Sequence, residues 1–435
     1  MIARQDYAGR RVLVLGLTEH GLAAARALKA GGARVEVYDG DKAYCAQAQA
    51  LKLDVVEPTA RDWGDLELLV CGNSRDVEAE PAPRLIELAR ALEIEVLSAE
   101  QFLAQSFSVD ARVSFAAFAG RHAICAADIA SHVLKSAGRA VMGPDLGAAG
   151  LKPVPGLVGV MAFNVAADIS GLPQSVCLLD GAEPGPSLGM RFSSAPCTVL
   201  CSGDDPASRR LAVTAGASSL LVSGKQALAQ GVFVTGRQLI DAREGAAKRV
   251  CDLSQSPALK RAPPLAIAAA YAFARQSGLD LEEACQGLSS YQGTPGHGRI
   301  LARLGGLCLE DWSSATDGAG LSEAFAGPDP IVWIAGPSVD PKMVKDFGES
   351  ATTLSYALLP QDRRKARRKL AKLCPVRLER EPMAIMARAL YAAAKAGPRT
   401  RIVYAPAGPC DADFGESLSM ALDDLIQSAR RKDAA

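Results

Sequence analysis

Val113-Ser114-Phe115-Ala116-Ala117-Phe118-Ala119-Gly120-Arg121-His122-Ala123-Ile124-Cys125 is the stretch on which the reading of this chain turns. An apolar, strand-like run ends at Phe118, and a helix-like run follows through Ile129, Val133 and Leu134. Strand, tight turn and helix form the setting of a phosphate loop. That loop needs glycines for close backbone approach, a lysine for charge and a hydroxyl for magnesium. Gly120 is the one glycine here, and neither a lysine nor a hydroxyl stands at Ala123, Ile124 or Cys125. The surroundings predict a nucleotide-binding fold; the loop itself lacks the groups that hold a nucleotide.

Working outward, the first hundred residues alternate strand and helix. Arg11 to Leu15 reads as a strand, Gly21 to Lys29 as a helix, and Arg34 to Tyr38 as a second strand ending at Asp39. A strand at Leu66 to Cys71, a helix at Pro81 to Leu92 and a short strand at Glu95 to Leu97 complete a parallel sheet with crossover helices. A second α/β block, 109–295, carries candidate strands near Val113, Ala140, Val158, Val176, Val199 and Leu220, and an alanine-rich helix at Leu265 to Ser277 that starts after Pro263-Pro264. Glycines and a proline from Gly293 to Gly298 mark a linker. The third block opens with two short strands around Gly305-Gly306. It continues with strands at Ile331 to Ala335 and Arg401 to Tyr404 and helices at Met383 to Ala394 and Glu416 to Arg430.

With 435 residues, 49% of them apolar, the chain can build two or three domains with real cores. Its formal net charge of zero supplies no overall field towards nucleic acid or a membrane. No run approaches the roughly 18 apolar residues needed to span a bilayer. The polar start, Met1 to Arg11, predicts no leader segment, and the expected location is the cytoplasm. The eleven cysteines form no C-x-x-C pair; Cys45, Cys125, Cys177, Cys285 and Cys308 sit among apolar residues and read as small core residues, while Cys197 and Cys201 flank a strand. Four histidines without an H-x-x-x-H pattern predict no zinc site.

Two other stretches carry chemical meaning. Gly16-Leu17-Thr18-Glu19-His20-Gly21 follows the first strand, with Asp39 ending the second. Gly16 suits the tight turn and Gly21 the approach of helix to sheet, but Thr18 replaces the glycine that would admit a pyrophosphate. The pattern fits either a plain strand-turn-helix or a retained ligand crevice. Arg363, Arg364, Lys365, Arg367, Arg368, Lys369 and Lys372 place seven cations in one predicted helical stretch. A solvated helix is the bland reading and a docking patch for an acidic protein the sharp one. Nothing aromatic accompanies the cations, as a nucleic-acid surface would require.

Taken end to end, the order and spacing of these segments resemble the Mur ligases, most closely the D-glutamate-adding members. The anchors are Val12 to Gly21, Asp39, Gly143 to Gly147, Asp204-Asp205, Gly293-Thr294-Pro295, Ser313 with Ala315-Thr316, and Ala405-Pro406-Ala407. The resemblance implies an α/β chain of three domains. These are a Rossmann-like UDP-substrate domain (1–108), a P-loop-NTPase-like central domain (109–295) and a Rossmann-like C-terminal domain (296–435). It also implies ATP- and magnesium-dependent joining of an amino acid to a UDP-muramoyl substrate in peptidoglycan synthesis.

Against the family's T-G-x-N-G-K-[ST]-[ST] loop this chain has Phe118 to Cys125, with Gly120, Arg121 and His122 in the turn, Ala123 for the lysine, and Ile124 and Cys125 for the hydroxyls. Gly159 to Ala162 lacks the family's glutamate, Leu179 to Pro184 keeps Asp180 and Glu183 but not the asparagine or histidine, and Gly189-Met190 lacks the carbamylated lysine. Ser314 replaces a lysine, and Cys410 replaces a serine. Asn73, Ser74, Asp145 and Gly147, with Gly16, Thr18, Gly21 and Asp39, are remnants of the implied UDP site; Asp145 would repel a diphosphate.

The sequence therefore points to a non-catalytic homologue, with no catalytic residues, cofactor or metal. Its expected role is scaffold or regulator for a protein partner in peptidoglycan synthesis or cell division. An active ligase with a rearranged site and a sensor of UDP-muramoyl intermediates are the alternatives.

Overall fold

The computed structural model describes residues 3–427 except 18, 41, 61, 73–80, 110–112, 144–156, 164–174, 181–197, 216–218, 257–258, 260–261, 305–306, 314, 316–317, 338, 340–341, 343–352, 362, 407–413, 415–416, 419, 423 and 426. The chain divides into two compact units, Met1–Tyr291 and Gln292–Ala435.

The first unit opens with a five-stranded parallel sheet. Its strands are β1 (Arg11–Leu15), β2 (Arg34–Tyr38), β3 (Asp54–Val55), β4 (Leu68–Cys71) and β5 (Glu95–Ser98), in the order β3-β2-β1-β4-β5. Crossover helices α1 (Glu19–Ala30), α2 (Lys42–Ala50), α3 (Ala82–Ala91) and α4 (Ala99–Val109) link or follow them. Val12 to Leu15 and Leu68 to Val70 are buried, because a parallel strand covered by helices on both faces has no solvent side. Phe102 of α4 belongs to the same apolar cluster as Val12 and Val14 and as Phe115, Ala117 and Val176 further along the chain. That continuous core joins the first hundred residues to the next block as one unit.

The second sheet has nine strands: β6 (Val113–Ala119), β7 (Val141–Met142), β8 (Leu157–Phe163), β9 (Ser175–Leu178), β10 (Thr198–Ser202), β11 (Ser219–Ser223), β12 (Val232–Thr235), β13 (Gln238–Asp241) and β14 (Lys248–Asp252). The order is β14-β13-β12-β11-β10-β9-β6-β8-β7, parallel from β7 to β12 and antiparallel beyond. Helices α5 (Ala123–Ser136), α6 (Pro206–Ala215), α7 (Pro264–Gln276) and α8 (Leu281–Ser290) accompany it. All six candidate strands of this block form. The antiparallel extension β12 to β14 was not foreseen, since Lys248-Arg249-Val250-Cys251-Asp252 is too polar to stand out as a strand.

In the second unit, β15 (Arg299–Leu304), β16 (Leu307–Asp311), β17 (Ile331–Ile334), β18 (Leu354–Leu359), β19 (Val376–Leu378) and β20 (Arg401–Tyr404) form a sheet of order β15-β16-β20-β17-β18-β19. Only the β15/β16 pair is antiparallel. Helices α9 (Gly318–Ala324), α10 (Arg364–Leu370) and α11 (Pro382–Ala396) flank it, and the described residues between Phe414 and Gln427 are helical. Strands β18 and β19 were missed by the sequence reading.

The basic stretch needs correction. Its helix, α10, spans Arg364–Leu370 only; Arg363 precedes it, donating from Nε to the Pro337 carbonyl, and Lys372 lies in the turn beyond. Ala366 and Leu370 are the buried positions of its inner face. Among the cysteines, Cys125 and Cys177 are core residues as expected, whereas Cys45, Cys285 and Cys308 are only half-buried. Cys201 lies within β10 rather than beside it, and Cys197 falls outside the described residues.

Candidate ligand crevice and the Gly120–His122 loop

Parallel sheets present their loops at the carboxyl ends of the strands, where ligands of α/β proteins bind. In the nine-stranded sheet β6, β9, β10 and β11 lie side by side, so the chain after Ala119, Leu178, Ser202 and Ser223 meets at one edge. The β6–α5 turn is three residues long. Gly120 has φ of 101°, and His122 takes a left-handed conformation, φ 68° and ψ 12°, before α5 begins at Ala123. A side chain at such a φ costs on the order of 1 kcal/mol, which a glycine there would avoid. The loop thus keeps a glycine-like backbone path with a histidine in it. Ala123 is buried, Arg121 points to solvent, and Ile124 is 42% exposed.

The neighbouring loops are tied to this turn. Arg121 N donates to the Asp180 carbonyl (2.7 Å), and Leu179 N to the Ala119 carbonyl (2.8 Å). The Asp180 carboxylate accepts from Ser202 Oγ (2.5 Å) and Lys225 Nζ (3.1 Å). Asp204 accepts from Ser223 Oγ (2.6 Å) and Gly224 N (2.7 Å), and Gln226 Nε2 donates to the Gly203 carbonyl (2.6 Å). Asp205 accepts from Ser208 N (2.9 Å) and Oγ (2.8 Å), capping α6. Asp180 is thus a hub joining the chain after β9, β10 and β11. Lys225 was not singled out, and its position just after an apolar strand is the only signal that could have found it. Among the described residues, no group of three or more His, Cys, Asp or Glu side chains is placed to hold a metal. Glu183 lies outside them.

The amino-terminal crevice is compact. Gly16 has φ of 84°, and its N–H donates to the Tyr38 carbonyl (2.9 Å). Asp39 Oδ2 accepts from Leu17 N (2.6 Å), so the acid at the end of β2 closes the β1–α1 turn. A Cβ on Gly21 would lie 1.8 Å from the Gly16 carbonyl oxygen, which is why α1 can approach the turn only with glycine there. Gly16, Gly21 and Asp39 are therefore brought together. Thr18, Asn73, Ser74, Asp145 and Gly147 fall outside the described residues.

No family model matches the chain. It is 28% identical over 366 residues to a UDP-N-acetylmuramoylalanine–D-glutamate ligase of Phenylobacterium zucineum (strain HLK1), covering 77% of this chain and 78% of that protein. It is 26% identical over 408 residues to the ligase of the same name from Caulobacter vibrioides (strain NA1000 / CB15N), covering 82% and 85%. In three dimensions it is similar to UDP-N-acetylmuramate-alanine ligase MurC of Thermotoga maritima, with a TM-score of 0.59 at 14% identity over 96% of this chain and 99% of that one. MurF of Acinetobacter baumannii gives a TM-score of 0.52 at 13% identity, over 96% and 93%. The expected α/β multidomain architecture with Rossmann-type sheets is borne out by these neighbours. The chain is a homologue of the Mur ligases at moderate identity and has their fold.

Proposed function

We propose that this chain works in peptidoglycan synthesis or cell division as a non-catalytic Mur-ligase-like scaffold or regulator. The observation that carries the reading is the β6–α5 junction. There a buried alanine and an exposed isoleucine occupy the positions from which a lysine and a hydroxyl would meet a magnesium triphosphate. Each charge-assisted hydrogen bond absent from such a site is worth on the order of 2 kcal/mol. At the same edge the Asp180 carboxylate is engaged by Ser202 Oγ and by the Lys225 ammonium. These residues do not fit a magnesium–ATP group. The division into three domains, 1–108, 109–295 and 296–435, belongs to this proposal, as does docking of an acidic partner on the exposed cations of α10.

A second reading is favoured by the relatives, which are named as ligases: an ATP-dependent D-glutamate ligase with rearranged chemistry. Arg121 supplies an exposed cation at the loop, with His122 beside it. Calorimetry with ATP and magnesium separates the two. No heat up to millimolar nucleotide is expected; micromolar binding abolished by Arg121→Ala would establish the second reading. Titration with UDP-N-acetylmuramoyl-L-alanine tests a third role, as a sensor of that intermediate, and turnover of the compound is not expected. For docking, charge reversal at Arg364 and Arg368 is expected to weaken partner binding and flatten its salt dependence. Unchanged affinity would remove the patch from consideration.

A further inference from the structure

Outside the two crevices, the second unit leaves an apolar helix face uncovered. In α11 the buried residues Ile385, Met386, Ala389, Ala392 and Ala393 join the core around Ile402. On the other side Met383, Ala387, Tyr391 and Ala394 recur at intervals of four, four and three residues, and all are exposed. That spacing lines them up along one side of a helix. Tyr391 at 66% and Met420 at 65% are the most exposed large apolar side chains among the described residues, and the helical residues flanking Met420 pack on the same core as α11. Leu88 of α3 and Leu92 just beyond it make the contrast. They are exposed singly among the exposed charges of Glu87, Arg90 and Glu93, as scattered surface leucines commonly are.

The charges at the ends of this face select its occupant. Glu379 and Glu381 outnumber Arg380 at the amino-terminal end, and Lys395 and Arg399 stand at the carboxyl-terminal end. A surface acidic at one end and basic at the other is complementary to a second copy of itself laid antiparallel. A two-fold axis at Ala387 fixes the register. Met383 and Tyr391 lie four residues to either side of Ala387, so each Tyr391 ring meets the partner's Met383 through a sulfur–aromatic contact. Only methyl groups face each other at the crossing, which lets the two helices approach closely. Lys395 comes opposite the partner's Glu381, and the same pair repeats on the other side of the axis. Arg388, next to the axis, has its charge met within its own chain by Glu379 at 3.4 Å.

We propose that the exposed face of α11 is the contact of a homodimer in which two copies of the helix pack antiparallel about Ala387. One helix face is small against the roughly 800 Å² per partner of a standard stable interface, so the dimer forms reversibly, with a Kd of roughly 10–100 µM. The contact does not depend on whether the β6–α5 loop binds nucleotide.

The test is sedimentation velocity of the full chain from about 1 µM to about 200 µM, in which the mass is expected to move from one copy towards two. Ala387→Glu sets two carboxylates against each other on the axis and is expected to leave a monomer throughout. Tyr391→Ala is expected to raise the Kd by about tenfold or more. Both change exposed positions, and either one decides should the other fail to fold. Lys395→Glu and Glu381→Lys are each expected to weaken self-association by about threefold or more, because like charges then meet twice across the axis. Mixing these two variants in equal amounts is expected to restore association, since the reversed charges pair again. A wild-type chain that stays monomeric over the whole range overturns the proposal and leaves the face to a different protein. A dimer that survives Ala387→Glu overturns it as well, and a mixture no stronger than the separate variants overturns the antiparallel register.

Discussion

The buried charge in the second unit shows what one residue can be made to hold. Arg401, at the start of β20, and Glu310, near the end of β16, are 3% and 0% exposed. The guanidinium donates to both Glu310 oxygens (2.6 to 3.2 Å) and to the carbonyls of Ala324 and Ala326, while Trp312 Nε1 donates to the same carboxylate (3.1 Å). Removing one member strands the other in a low dielectric at about 3–5 kcal/mol, whereas removing both leaves no orphan charge. Glu310→Ala is therefore expected to destabilise the chain severely and Glu310→Met with Arg401→Met much less, as read by urea unfolding. Gly21 makes a steric prediction. Gly21→Ala sets a methyl group against the Gly16 carbonyl, so a loss of about 2–3 kcal/mol in the same assay is expected.

At the scale of elements, α8 is fixed at its start and along its length. Asp280 accepts from Glu283 N (2.8 Å) while the Glu283 side chain accepts from Asp280 N (2.9 Å), a reciprocal cap. Asp280→Ala is expected to cost about 1 kcal/mol of unfolding free energy. Further along, His132 of α5 bonds Ser290 Oγ (2.9 Å), and the Tyr291 hydroxyl donates to Asp128 Oδ2 (2.9 Å). Between β13 and α7, Asp241 accepts from Arg243 and from the Tyr271 hydroxyl (2.9 Å). Burial alone would raise the Asp241 pKa, but these hydrogen bonds outweigh it and hold the carboxyl below its ordinary 3.8. A group depressed in the folded state contributes stability above its unfolded pKa and loses it as pH falls through the folded one. Wild-type stability relative to Asp241→Asn should thus be constant near neutrality and shrink below about pH 4. A difference that grew on acidification would refute the assignment.

For the whole molecule, each compact unit carries apolar cores of its own. In the second unit they form around Trp333, Leu321 and Phe325 and around Ile385, Met386 and Ile402. Residues 292–435 expressed alone are expected to fold with a cooperative thermal transition, and a featureless melt would show that they depend on the rest. Among the described residues, no helix is long and apolar enough to cross a membrane.

What the sequence settled by itself was what local pattern controls. Val12 to Leu15 and Val113 to Phe118 read as apolar strands, and the glycine-poor turn at Gly120 was visible without coordinates, since strand pattern and turn chemistry are written in adjacent residues. Only the tertiary structure decided how distant polar residues pair. Asp180 with Lys225 and Glu310 with Arg401 are separated by tens of residues, and nothing in either partner's neighbourhood names the other. The strand β14 was lost for the same reason, because a polar edge strand becomes a strand through the neighbour it bonds.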